Sequence, residues 1–118
     1  MPPKKEDFAY LWDMLDYSKS IIQFISGKSF EEYSNNRMLR AAVERNLEII
    51  GESARNISEH FKSSHPEIPW RQIIAQRNVL IHEYGEIKNE RIWKVATLNI
   101  PELVARIEPL IPPNPDNM

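Results

Sequence analysis

The sequence predicts an all-α protein, a four- or five-helix up-and-down bundle folded as one domain. Three observations carry that prediction. Apolar residues recur at steps of three and four through most of the chain, which is the period of a helix with one buried face. No proline occurs between Pro3 and Pro66, or between Pro69 and Pro101, and only Gly27, Gly51 and Gly85 interrupt those stretches. No alternation of apolar and polar residues is long enough to argue a strand, and 118 residues suffice for one core.

The first helix carries Phe8, Leu11, Leu15, Ser18, Ile22 and Ile25 at helical spacing, with Trp12 beside them, and Gly27 ends it. GKSFEEYSNN follows as a polar connector with two isolated aromatics. Ser34, Asn35 or Asn36 in it can cap a second helix that starts near Arg37. That helix is the longest, with Leu39, Val43, Leu47, Ile50, Ala54, Ile57 and Phe61 on one stripe and Arg40, Glu44, Glu48, Glu52 and Arg55 on other faces. SSHPEIPW must end it, because Pro66 cannot continue a helix and each proline pushes the preceding residue into extended geometry.

A third helix is expected from Trp70 until Gly85, with Pro69 in its first turn. Ile92, Ala96, Leu103, Ile107 and Leu110 continue a helical period, with a kink or break at Pro101, before a flexible, proline-rich tail from about residue 112.

Composition narrows the chemistry. With no cysteine there is no disulfide framework, thiolate metal site or cysteine nucleophile. A formal charge of −2 and an isoelectric point near 5.9 argue against a broad, non-specific coat on a polyanion, though a short RNA in a local cleft needs few cations. Acids interrupt the apolar residues of the N-terminus, and no apolar run approaches the roughly 20 residues that span a bilayer, so a cytoplasmic protein is expected. His60, His65 and His82 match no zinc-ligand spacing. Arg37, Arg40 and Arg45 alternate with Glu44 and Glu48 and read as a solvated, ion-paired helix face. Trp12, Trp70 and Trp93 sit beside apolar stripes and read as core or interface anchors, with the core favoured for all three.

The segment RNVLIHEY, Arg77 to Tyr84, gathers polar groups around Val79, Leu80 and Ile81 at a helix end. A histidine of near-neutral pKa can take a proton from a ribose 2′-hydroxyl or give one to a departing 5′-oxygen, while an arginine stabilises charge on the phosphoryl oxygens. In one ideal helix, however, positions five apart lie roughly 140° apart, so Arg77 and His82 do not face each other. A distorted last turn, a long reach by Arg77 or a cleft shared by two copies of the chain would each bring them together. A capping histidine, an ion-paired arginine and a half-buried Tyr84 fit the same residues.

Arg77, four residues, His82, one residue and Tyr84 form a pattern that resembles the hallmark of the HepT-like ribonuclease toxins of the HEPN superfamily, with Asn78 as the polar residue after the arginine. The flanks AAVERNLEIIGESARNIS, PEIPWRQIIAQRN and IWKVATLNIPEL extend the likeness over most of the chain. The resemblance implies a helical homodimer with a composite cleft, and a metal-independent endoribonuclease in which Arg77 and His82 are catalytic and Asn78 supports them. It further implies the toxin of a type VII toxin–antitoxin pair acting on tRNA or mRNA. The partner would be an MntA-like nucleotidyltransferase that transfers AMP from ATP to Tyr84, the chain itself needing no cofactor and no membrane. A second reading is a non-catalytic helical adaptor that docks a nucleotidyltransferase or binds nucleotide through Arg77 and Tyr84.

Overall fold

Helix α1, Lys5–Ile25, starts at a carboxylate and stops at a glycine. Asp7 accepts from the Lys4 backbone N–H at 3.3 Å to cap the first turn, and Gly27, at φ 73°, takes the left-handed turn that ends the helix. The computed structural model describes residues 4–82 and 88–112, and of His82 the backbone alone. The stripe that α1 buries is Leu11, Met14, Leu15, Ser18 and Ile21, rotated slightly from the expected one, so that Phe8, Ile22 and Ile25 are only partly covered. Trp12 lies outside it and is 40% exposed, which corrects its assignment to the core.

The connector expected after Gly27 contains a helix of its own, α2, Phe30–Ser34. Ser29 and Glu32 form a reciprocal capping box, Glu32 N–H donating to Ser29 Oγ at 3.1 Å and Ser29 N–H to Glu32 Oε1 at 3.0 Å. Its two aromatics are not isolated: the Phe30 and Tyr33 rings lie 6.2 and 5.3 Å from Trp93, and Tyr33 is fully buried. Burial raises the Tyr33 phenol well above its ordinary pKa, with Glu44 adding to the rise.

Asn36 then caps α3, Arg37–Asn56, its Oδ1 accepting from Leu39 N–H at 3.0 Å. This helix ends earlier than its stripe suggests. Ile57 leaves helical geometry and Ser58 caps a separate helix α4, Glu59–Ser64, so Phe61 belongs to α4. The break is held from a distance. Asp7 of α1 accepts from Ser58 N–H at 2.8 Å and from Ser58 Oγ–H at 2.7 Å, while the same hydroxyl caps Phe61 N–H.

Helix α5, Trp70–His82, follows Pro69, which lies just before the helix rather than in its first turn, with its carbonyl accepting from Ile73 N–H. Trp70 is buried against Phe61, and its indole N–H donates to His65 O at 2.9 Å. Gly85, expected to end this helix, lies outside the described residues. The last run is continuous: α6, Asn89–Lys94, a π turn, Val95–Asn99, α7, Ile100–Ile107, and a 3₁₀ turn, Glu108–Leu110. Pro101 therefore does not break the helix. Ile100 N–H reaches back to Val95 O, and this wider turn makes room for a ring that cannot donate and would crowd the preceding turn.

Among the described residues the bundle has four principal runs, α1, α3, α5 and α6–α7, and no strand. Helix α3 packs on both α1 and α5, and α7 packs on α1. No helix among the described residues is long and apolar enough to cross a membrane.

Candidate active site

Arg77 lies on the side of α5 that meets α3, and the contact depends on a missing side chain. A Cβ built on Gly51 of α3 would fall 2.4 Å from Arg77 Cβ and 3.1 Å from Ile73 O. Glycine inside a helix costs about 1 kcal/mol relative to alanine, and the close approach of α5 is what it gains here.

The next residue of α3 supplies the counter-charge. Arg77 Nε lies 2.8 Å from Glu52 Oε2, and the arginine side chain is only 20% exposed. Arg55, one turn along α3, approaches the same oxygen at 3.8 Å. This oxygen is buried and has no aligned hydrogen-bond donor, so its charge is balanced by Coulombic contact with two guanidinium groups. The cluster therefore carries an excess of positive charge within a chain of net charge −2.

Asn78 is exposed, and its Oδ1 accepts from Arg77 Nη1–H at 3.3 Å. The guanidinium is thus engaged at Nε by Glu52 and on one Nη1 hydrogen by Asn78. Among the described residues these are its polar partners, and the Nη1–Nη2 edge of a guanidinium is the end-on fork that matches two phosphate oxygens. Leu80 anchors the same helical turn in the core, while Ile81 is 40% exposed.

Of the sequence-predicted residues, Arg77 and Asn78 meet as neighbours. His82 is the last residue of α5, but its side chain lies outside the described residues, as does Tyr84. Glu52, Arg55 and Gly51 were not predicted as site residues. The available signal was a glycine inside the helix expected to be longest, followed at once by a carboxylate; in the structure α1, with 21 residues, is longer than α3, with 20.

A separate groove of about 490 Å³ opens beside α5. Leu47 and Ile50 give it an apolar wall, and Gln72, Gln76, Arg91 and Lys94 polar ones; Arg77 is not among its lining residues. Arg106, also on its wall, is already paired with Glu102 and the Glu67 carbonyl.

Comparison with known proteins places this arrangement in a family. Residues 14–110 match the family model described as "HepT-like: Ribonuclease HepT-like". The chain is 36% identical to "Putative RNase MJ1380" of Methanocaldococcus jannaschii, over 89% of its own length and 96% of that protein. It is 37% identical to "Probable ribonuclease HepT" of Thermococcus cleftensis, over 91% of its own length and 97% of the relative. A third relative, "Putative RNase MJ0127" of Methanocaldococcus jannaschii, is 37% identical over 92% of this chain and 90% of its own. No solved structure matches. With an all-helical frame, a clamped Arg77 at the start of the Arg-x4-His-x-Tyr pattern, and matches over most of its length, the chain belongs to the HepT-like ribonuclease family.

Proposed function

We propose that the protein is a metal-independent endoribonuclease, with Arg77 and His82 as its catalytic pair and Asn78 in support. The observation that carries this reading is the state of Arg77: its Nε is paired with Glu52 and its Nη1 with Asn78, and among the described residues nothing engages Nη2. An RNA phosphate meeting the Nη1–Nη2 edge would have its developing charge stabilised by a cation already in place. His82 would move the proton of the 2′-hydroxyl or of the leaving 5′-oxygen. The nucleophile is internal to the substrate, so position, a proton carrier and a cation suffice. The products are a 2′,3′-cyclic phosphate and a 5′-hydroxyl.

On this reading two chains form a homodimer whose motifs share one cleft, which removes the 140° misfit of Arg77 and His82 within one helix. Arg91 and Lys94 on the groove beside α5 supply local cations that the acidic chain as a whole lacks. The protein acts in the cytoplasm as the toxin of a toxin–antitoxin pair. An MntA-like nucleotidyltransferase silences it by placing AMP from ATP on Tyr84, where the added phosphate competes for Arg77 and the nucleoside fills the mouth of the cleft.

The test uses purified protein of confirmed unmodified mass, incubated with RNA in EDTA. Cleavage is expected, and Arg77→Ala or His82→Ala should reduce it by at least about 100-fold. An inert unmodified wild type would instead favour the adaptor reading. For the control step, intact mass after incubation with the nucleotidyltransferase and ATP should rise by an adenylate. Tyr84→Phe should not accept one.

A further inference from the structure

We propose that Glu52 is the positioning residue of Arg77, so that the site is built by α3 as much as by the motif on α5; the catalytic consequence rests on the ribonuclease reading above. Two observations at Glu52 Oε2 and one at Gly51 converge on it. The Glu52 carboxylate stands 2.8 Å from Arg77 Nε, the one nitrogen of the guanidinium not needed for an end-on phosphate fork. The adjacent Gly51 leaves room for Arg77 Cβ at a distance no alanine would permit, fixing the stem of the same side chain. Finally, Glu52 Oε2 is buried without an aligned donor, so the oxygen gains its compensation from the guanidinium groups of Arg77 and Arg55.

An arginine side chain has many rotamers, and a free one would spend little time aimed at a phosphate. With Nε held by a carboxylate on a neighbouring helix, rotation about the terminal bonds is restricted and the Nη1–Nη2 edge lies on the side of the guanidinium away from Glu52. Asn78 adds a second restraint at Nη1. Arg55 shares the carboxylate without displacing Arg77, and keeps the cluster cationic towards an anionic substrate. Glu52 touches no reacting atom in this scheme. It sets the direction from which Arg77 acts.

The test compares Glu52→Gln and Glu52→Asp with wild type, each checked for helical fold by circular dichroism. Glu52→Gln keeps the shape and removes the charge, and should lower kcat on the order of 10- to 100-fold, as expected when a catalytic group is misplaced by about 1 Å. KM should change little, and Glu52→Asp should recover part of the loss. In an Arg77→Ala background Glu52→Gln should cost nothing further, because the group it positions is gone. A merely structural ion pair predicts instead a lowered melting temperature in Glu52→Gln, with the loss of cleavage restored at a temperature where the variant is fully folded, and that result overturns the inference. Wild-type cleavage left unchanged by Glu52→Gln overturns the inference.

A second readout needs no cleavage. The Nε–H resonance of Arg77, assigned by its disappearance in Arg77→Ala, should shift in Glu52→Gln, because the charge 2.8 Å from Nε is removed. A resonance that does not respond overturns the inference. A responding resonance in a wild type that cuts no RNA overturns the ribonuclease reading, while Glu52 stands as the group that orients Arg77.

Discussion

A single hydrogen at position 51, where most residues carry a carbon, decides how near α5 can come to α3. Gly51→Ala should gain up to about 1 kcal/mol of helix propensity. It should lose about 1–3 kcal/mol to overpacking, because its Cβ would sit 2.4 Å from that of Arg77. A lower melting temperature with a larger loss of RNA cleavage is the expected result. Equal activity with a raised melting temperature would show that α5 moves aside freely. Beyond the C-terminal end of the same helix α3, Asp7 is buried to 2% exposure, which raises its pKa, but hydrogen bonds from Ser58 and Lys4 outweigh burial and hold the carboxyl below its ordinary value. The folded state therefore favours the ionised form. The stability this adds is full above the unfolded pKa of about 3.9 and is lost as pH falls through the lower folded value. Urea titrations should show a loss of about 1–3 kcal/mol for Asp7→Ala at pH 7, since Ser58 N–H is left unpartnered. The deficit should shrink towards the acid limit.

Short elements explain most of what the helical period did not reveal. Helix α2 has only five residues and rests on its capping box and on Trp93. Trp93→Ala should cost about 2–4 kcal/mol and release α2 first, seen as faster amide exchange at residues 30–34 than in the rest of the bundle. A uniform rise in exchange would mean that α2 is not a separate unit. The Ser29-x-x-Glu32 signature was present in the sequence, but polar composition masked it. By contrast, the local hint that α3 ends at Asn56, Ser58 as a possible N-cap, was overridden by the apolar stripe, which runs on through Ile57 to Phe61. The carboxylate that fixes the break comes from Asp7, fifty-one residues away. The π turn before Pro101 is of the same kind. Ile92, Ala96, Ile100, Leu103 and Ile107 are all buried, and a wider turn keeps that stripe in phase across a residue that an ordinary helix would reject.

For the whole molecule, the fold class was legible because long amphipathic helices declare themselves by period alone; Gly27 and Pro69 mark helix ends to within a residue or two, and Asn36 is the one of three cap candidates that caps α3. Of the candidate site, the segment with Arg77, Asn78, His82 and Tyr84 stands out in the sequence, and the structure brings Arg77 and Asn78 of it together. Glu52 does not stand out, because which face of α3 meets α5 depends on how two helices rotate against each other. If the cleft is shared by two subunits, its parts can be separated and recombined. Mixed and re-equilibrated Arg77→Ala and His82→Ala chains should regain roughly a quarter of wild-type cleavage: half of the dimers are mixed, and one of their two sites is intact. Recovery would be nil if each subunit held a complete pair. Sedimentation should give twice the 13.9 kDa chain mass in either variant.

The bonds between Asp7 and Ser58 also bear on how fast the protein comes apart. They close a span of 51 residues, so the chain must pay the loop's closure entropy before they form, whereas the helices they join can form locally. A contact made after the rate-limiting step leaves folding speed untouched and governs escape from the native state. Stopped-flow measurements on Asp7→Ala should accordingly show an unfolding limb raised by about tenfold and a refolding limb nearly superimposable on wild type. The clasp at the start of the first helix would then set the lifetime of the folded bundle.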